Sequence, residues 1–342
     1  MKLRDWWQGR TASAQSPQDK QRIDSTVERV VETTNPSLRY VSNYKKKLGP
    51  AVAASLDYVH DLVASLPPAR EASTAAWAGD TFIKALFASP DELVRAFSRA
   101  PDLQAHVEKN PGLAEAYAVL GMEMSERKVL GMAMEGDLLR RDVAQTNVSF
   151  SDHRVRICGC TEAELRDEIE RRLVDQLALE GLAQIAADDS RRDALKQESA
   201  LLKARSRLLE NEGAGIRGAL GGEAAGAAKL AELRSQMMEN SRELASLGVG
   251  AELLDRQLEH IRSVLAEPAR HLYVSSRRLR LDGMNVLIED PAAQAGVELE
   301  FLVARLPGTV PALERAFVLV RFPRGELLTA QQLRGDIARW LI

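Results

Sequence analysis

Few residues in this sequence are suited to chemistry, and they are scattered. Cys158-Gly159-Cys160 with His153 supplies three soft donors of the kind zinc accepts. A structural zinc site needs four, and no second pair stands nearby. The simpler reading is two small residues at a strand end, and no metal is expected. The remaining histidines, His60, His106, His260 and His271, stand in no nucleophile, zinc or kinase motif. Gly213-Ala214-Gly215-Ile216-Arg217-Gly218 is a literal G-x-G-x-x-G. A dinucleotide site requires that run between a buried strand and a helix, whereas here it follows a highly charged helix and precedes more glycines. No catalytic residue and no cofactor is assigned. The chain is expected to be non-enzymatic, with an enzyme whose site gathers distant segments as one alternative.

Anion recognition is the other chemistry the residue types permit. Arg39, Lys45, Lys46 and Lys47 lie beside Tyr40 and Tyr44, and such a mixture holds phosphate by charge and bases by stacking. A second group comes from two similar stretches, VSFSDHRVRI at 148–157 and LYVSSRRLRL at 272–281, which align without gaps. Their alternation puts Arg154 and Arg156, and likewise Arg278 and Arg280, on one strand face. If the two strands are neighbours, the four arginines share a face, open to an acidic partner or a phosphate backbone. Glu298 and Glu300 alternate in the same way, and pairing with those arginines is the favoured alternative. Net charge is −3, so no global basic field supports nucleic-acid binding. That function is an alternative that rests on local patches.

The clearest pattern is neither catalytic nor ionic. Leu230, Leu233, Met237, Asn240, Leu244, Leu247, Leu254, Leu258, Ile261 and Leu265, with Ala251, follow alternating three- and four-residue steps. This is the heptad seam of a helix that pairs with another helix. Asn240 is its polar member, and a buried Asn at such a position fixes register or partner at a cost in stability. Leu165 to Leu209 carries a weaker seam, interrupted by Ser199 and Ser206, with a break or stutter expected near Asp188-Asp189. Glycines at 213, 215, 218, 221, 222 and 226 separate the two stretches and predict a tip.

These elements predict a mainly α protein with a small β module (α+β). Residues 1–34 read as a flexible arm or a loosely docked helix, containing Trp6 and Trp7, and residues 35–145 as an α-helical domain. Its helices include 35–66, one started by Ser89-Pro90-Asp91-Glu92, and one from Leu113. Residues 161–268 read as a long antiparallel helical hairpin with its Gly-rich tip at 213–226, capped at its start by Thr161 and Glu164. It is expected as an insertion in a small antiparallel sheet formed by 146–160 and 270–342, which includes the turn at Asp282-Gly283 and a final helix capped by Thr329 and Gln332. Two cysteines and no apolar run of membrane-spanning length predict a cytoplasmic protein. The function this pattern favours is structural or adaptor-like, with the hairpin engaging a second copy or a protein partner.

Overall fold

Residues 115–122 sit at the centre of the fold. Ala116, Ala118, Leu120 and Met122 are buried, and their intervening neighbours are not. That period of two is the signature of a strand with one face in a core. In the computed structural model, which describes residues 17–135, 138–213, 223–247, 251–288, 296–306, 313–329 and 331–333, this stretch belongs to a six-stranded sheet. The chain divides into two units, residues 1–55 with 175–268, and residues 56–174 with 269–342.

The second unit holds the sheet. Its strands are β1 (Arg70–Glu71), β2 (Glu115–Glu135), β3 (Leu138–Gly159), β4 (Tyr273–Leu281), β5 (Val297–Leu306) and β6 (Leu313–Pro323). The order is β3-β2-β6-β5-β4, with β1 added parallel to β6. The other named pairings are antiparallel. After β4 the chain turns at Asp282, and its returning segment meets both outer strands. Ile288 N donates to Arg280 O at 2.8 Å, and Leu287 N donates to Thr146 O at 2.8 Å. Backbone bonding therefore links the two strands at the ends of the order, which covers part of each exposed edge.

Four short helices pack on one face of this sheet: α3 (Thr74–Gly79), α4 (Thr81–Leu86), α5 (Pro90–Ser98) and α6 (Pro101–Lys109). Ser89 caps α5 by accepting from Glu92 N, as its sequence predicts. Their apolar residues join the strands in one core that includes Ile83, Leu93, Phe97, Val320 and Phe322.

The first unit is helical. It contains α1 (Pro17–Thr34), the start of α2 (Tyr44–Ala64), the later part of α7 (Glu162–Gly213), α8 (Glu223–Ser246) and α9 (Ala251–Ala266). Val27, Val30 and Val31 of α1 are fully buried. Arg29 Nε of α1 pairs with Asp175 of α7 at 2.8 Å, and Ser55 Oγ of α2 donates to Leu265 O of α9 at 2.6 Å. Gly181 of α7 lets α9 approach closely, since a Cβ there would lie 3.0 Å from Ile261 Cα.

The expected fold class requires correction. The β part is not a small module: it is a six-stranded sheet that takes in residues 115–135 and 138–145, which read as helical. Tyr117, Leu120 and Met124 stand at helical spacing, yet the buried set is Ala116, Ala118, Leu120 and Met122. Ala and Met have little strand preference, and they hid the alternation. Insertion of a helical hairpin in the sheet is likewise not established, and most of the expected tip, 214–222, lies outside the described residues. A break or stutter was expected near Asp188-Asp189; α7 runs through them as one helix, so the break does not occur. The interruption falls in the other helix, which leaves helical geometry after Ser246, just before Gly248 and Gly250. Of the two readings of the N-terminal stretch, residues 17–34 follow the docked helix and not the flexible arm, while Trp6 and Trp7 lie outside the described residues. The helix expected from 35 opens as a 3-10 turn over Pro36–Tyr40, and α2 starts only after Asn43, whose φ is 58°. Gln332 N donates to Thr329 Oγ1, but the rest of the final helix lies outside the described residues.

The corner between β3 and α7 allows no side chain at Gly159. A Cβ there would lie 2.7 Å from Leu165 N and 3.0 Å from Thr161 O, both of them backbone atoms. Gly159→Ala is expected to cost about 1–3 kcal/mol, read as a lower urea midpoint at unchanged slope.

Candidate functional site

The Cys158/Cys160/His153 trio is not brought together. His153 turns toward α4 and α5, where its ring stacks on Phe87 at 4.4 Å and its Nε2 donates to Leu86 O at 2.8 Å. Burial holds the His153 imidazole below its ordinary pKa. Burial pushes the Cys158 thiol up to about 12. Cys160 Sγ lies 3.6 Å from His106 Nε2. Its thiol is also pushed up, by burial and then by Glu164, which is the reverse of an activated nucleophile. Among the described residues no cluster of His, Cys, Asp or Glu has the makings of a metal site.

Two other helical histidines, His60 and His260, are tied to carboxylates. His60 Nδ1 lies 2.8 Å from Glu170 Oε1. His260 Nε2 and Arg256 Nε both lie 2.9 Å from Asp188 Oδ2. Burial raises the Asp188 carboxyl, but the hydrogen bonds from His260 and Arg256 outweigh it, and its pKa falls below the ordinary value. This is a structural ion-pair node between α7 and α9. It also explains why two adjacent aspartates do not interrupt α7: Asp188 meets Arg256, and Asp189 meets Arg192 at 2.8 Å.

The predicted basic patches are largely neutralised at contact distance. Arg39 Nη2 meets Glu32 at 2.7 Å, Lys45 meets Glu28 at 2.7 Å, and Lys47 meets Asp255 at 2.7 Å. Lys46 is exposed and borders a groove with Lys47, Asp255, Glu259 and Arg262, which mixes both signs. Tyr40 is 85% exposed and stands outside any core. The sheet arginines divide. β4 and β5 set Arg278 opposite Glu300 and Arg280 opposite Glu298, and Arg278 Nε lies 3.6 Å from Glu300 Oε1. β3 stands at the far end of the strand order, so Arg154 and Arg156 do not share a strand pair with them. They pair instead with Asp152 at 2.9 Å and Asp102 at 2.8 Å.

The β3 arginines do border a cavity of about 600 Å³. Across it stand Arg95 of α5 and Arg99, the residue that follows the C-terminus of α5, and no local pattern singled out either. The helix that carries them is capped by Ser89, and tertiary packing alone brings them to β3. A signal existed in principle, since arginines four apart on a helix lie on one face.

The heptad seam is graded along its length. Leu247, Leu258, Ile261 and Leu265 are buried, at 4% exposure or less. Leu254 and Leu244 are half-buried, and so are Leu230, Leu233 and Met237 toward the far end. Asn240 is buried. Its Nδ2 donates to Glu198 Oε2 of α7 at 3.1 Å, while its Oδ1 has no partner among the described residues. The end of α8 is satisfied by arginine: Ser246 O accepts from Arg256 at 2.6 Å and Leu247 O from Arg192 at 2.7 Å. The seam is therefore interrupted and then re-entered in α9, with side chains in place of backbone continuity.

The sequence matches no protein-family model, and comparisons with curated proteins and with solved structures give no match. Among the described residues no helix is long and apolar enough to cross a membrane.

Two outcomes follow from this geometry. Asn240→Leu removes a buried acceptor without a partner, so melting temperature is expected to rise by a few degrees in a thermal scan; a fall would show that Asn240 is satisfied as it stands. Hydrogen bonds from Lys45 and Tyr44 hold the Glu28 carboxyl at about 2, below its ordinary 4.5. A depressed carboxylate contributes stability above pH 4.5 that is lost as pH falls toward about 2. Glu28 is over a third exposed, so the effect is small. Glu28→Gln is expected to flatten that part of the stability profile, measured by urea unfolding from pH 5 to pH 2.

Proposed function

We propose that this is a non-enzymatic structural or adaptor protein that self-associates through the outer face of α7 and α8. The observation that carries the reading is the placement of exposed large apolar residues. Leu201 and Leu208, at 56% and 64% exposure, stand seven apart on α7, and Met238 on α8 is 56% exposed. The inward residues of the same helices, Leu195, Leu202 and Asn240, are already buried. A seven-residue spacing is the repeat of a helix–helix seam, so the matching surface is another helix. A second copy of this chain carries one with the same spacing. The neutralised lysines and arginines of the first unit supply little free charge for a polynucleotide, and the shifted thiols and carboxylates described above are accounted for by burial and ion pairs.

Sedimentation velocity tests this directly. Wild-type protein is expected to be a dimer at about 100 µM, where a micromolar association is nearly complete. Leu201→Glu with Leu208→Glu is expected to give monomer at unchanged helix content, because both positions are exposed in the single chain. A wild-type monomer at that concentration overturns the reading, and so does a dimer indifferent to the double substitution.

A further inference from the structure

The cavity between α5 and β3 is a concave cationic site in a chain of net negative charge. Its walls carry Arg95, Arg99, Arg154 and Arg156 against a single carboxylate, Glu92. That carboxylate is engaged, since Glu92 Oε2 accepts from Ala88 N at 2.8 Å in the α5 capping box. Ala96, Ala100, Pro101 and Val155 add apolar surface, and His153 lines the wall, its imidazole held below its ordinary pKa by burial. The volume, about 600 Å³, is that of a small-ligand pocket.

The guanidinium groups are held in different ways. Asp152 grips Arg154 through Nε at 3.1 Å and Nη2 at 2.9 Å, and Asp102 holds Arg156 through Nη1 at 2.8 Å. Arg95 Nε donates to Asp91 O at 3.0 Å, and its Nη2 lies 3.9 Å from Asp91 Oδ2. Arg99 is exposed, and among the described residues its guanidinium has no partner. A guanidinium carries five donors, so each tethered arginine keeps N–H groups for a ligand while its tether reduces the entropy lost on binding.

The backbone of β3 is distorted at this place. Its register with β2 shifts between Gly121 and Glu123 and again between Ala118 and Val119, which leaves bulges on either side of Arg154 and Arg156. Asp152 and Ile157 have φ of 50° and 55° there. Positive φ is unfavourable for a β-branched residue such as Ile, and such strain is held by surrounding packing. Bulges re-aim side chains, and here they bracket the two arginines of β3 that line the cavity.

We propose that this cavity binds the phosphate group of a small phosphorylated ligand. Arg99 with Arg156 would meet the phosphate oxygens, and the Ala96–Ala100–Pro101 wall would meet an apolar body. Convergence of four arginines on one concavity suits a compact dianion better than an extended polynucleotide, whose phosphates require a track. The inference is independent of self-association, which concerns other residues in the other unit.

Titration calorimetry on the full chain tests it, with phenyl phosphate, inorganic phosphate, phenol and single-stranded DNA of increasing length as probes. Phenyl phosphate is expected to bind saturably at one site per chain, and phenol not at all. Arg99→Ala and Arg156→Gln are each expected to weaken binding at least about tenfold. Arg278→Ala, at the far end of the strand order, is expected to leave it unchanged. Arg99 is exposed and unpaired among the described residues, so its variant keeps the fold, checked by an unchanged melting temperature. Saturable binding of either phosphate probe supports the site, and the ratio of their affinities separates a phosphomonoester from the free ion. Three results overturn the proposal: no saturable heat with either phosphate probe, full affinity in Arg99→Ala and Arg156→Gln, or binding seen only with DNA and tightening with its length.

Discussion

Aromatic stacking between the short helices and the sheet is the constraint on which the second unit depends. Phe97 of α5 stacks on Phe322 of β6 at 4.5 Å with the rings only 7° apart. Phe82 of α4 stacks on Phe301 of β5 at 5.1 Å, and Phe301 in turn meets Phe150 of β3 at 4.9 Å. Phe87, just after α4, stacks on His153. Each pair joins segments far apart in the chain, and each contributes about 0.5–1.5 kcal/mol beyond its burial. Together they fix α5 beside β3. Remove that seating and Arg95 and Arg99 have no reason to face Arg154 and Arg156.

The helical unit is held differently. Its buried leucines and valines supply the bulk of the cohesion, but polar contacts decide where helices start, stop and pair. Asp188 takes His260 and Arg256. Arg192 and Arg256 cap the carbonyls at the end of α8. Asn240 reaches Glu198. These contacts sit close to the point where the returning helix breaks, which is where backbone hydrogen bonds are lost. Charged side chains therefore substitute for helix continuity at the position that most needs it.

Ionic chemistry in this protein is local. Many of the sequence's basic clusters turn out to be answered by carboxylates a few ångströms away, and exposed pairs of that kind contribute little to stability. Their effect is to cancel field. The α5–β3 cavity differs because four arginines line one concave surface, and the carboxylates that hold Arg95, Arg154 and Arg156 are not among its lining residues.

Several features were legible in the sequence by itself because they depend on neighbours in the chain. The capping boxes at Ser89, Thr161 and Thr329, the strands β4 to β6, the turn at Asp282 and the buried Asn240 follow from local pattern, turn chemistry and periodicity. Tertiary structure decided the rest. Ala116 to Met122 became strand because β6 and β3 offer two sets of backbone partners, which weak local preference does not reveal. Val27, Val30 and Val31 became core because other helices cover them. α7 stays continuous at Asp188-Asp189 because long-range ion pairs satisfy the aspartates there, which the local sequence does not show. Arg95 and Arg99 gained their candidate role only when aromatic stacking placed α5 against β3. A contact between residues distant in sequence leaves no periodic trace in either, and that is why the seam was visible from the start and the cavity was not.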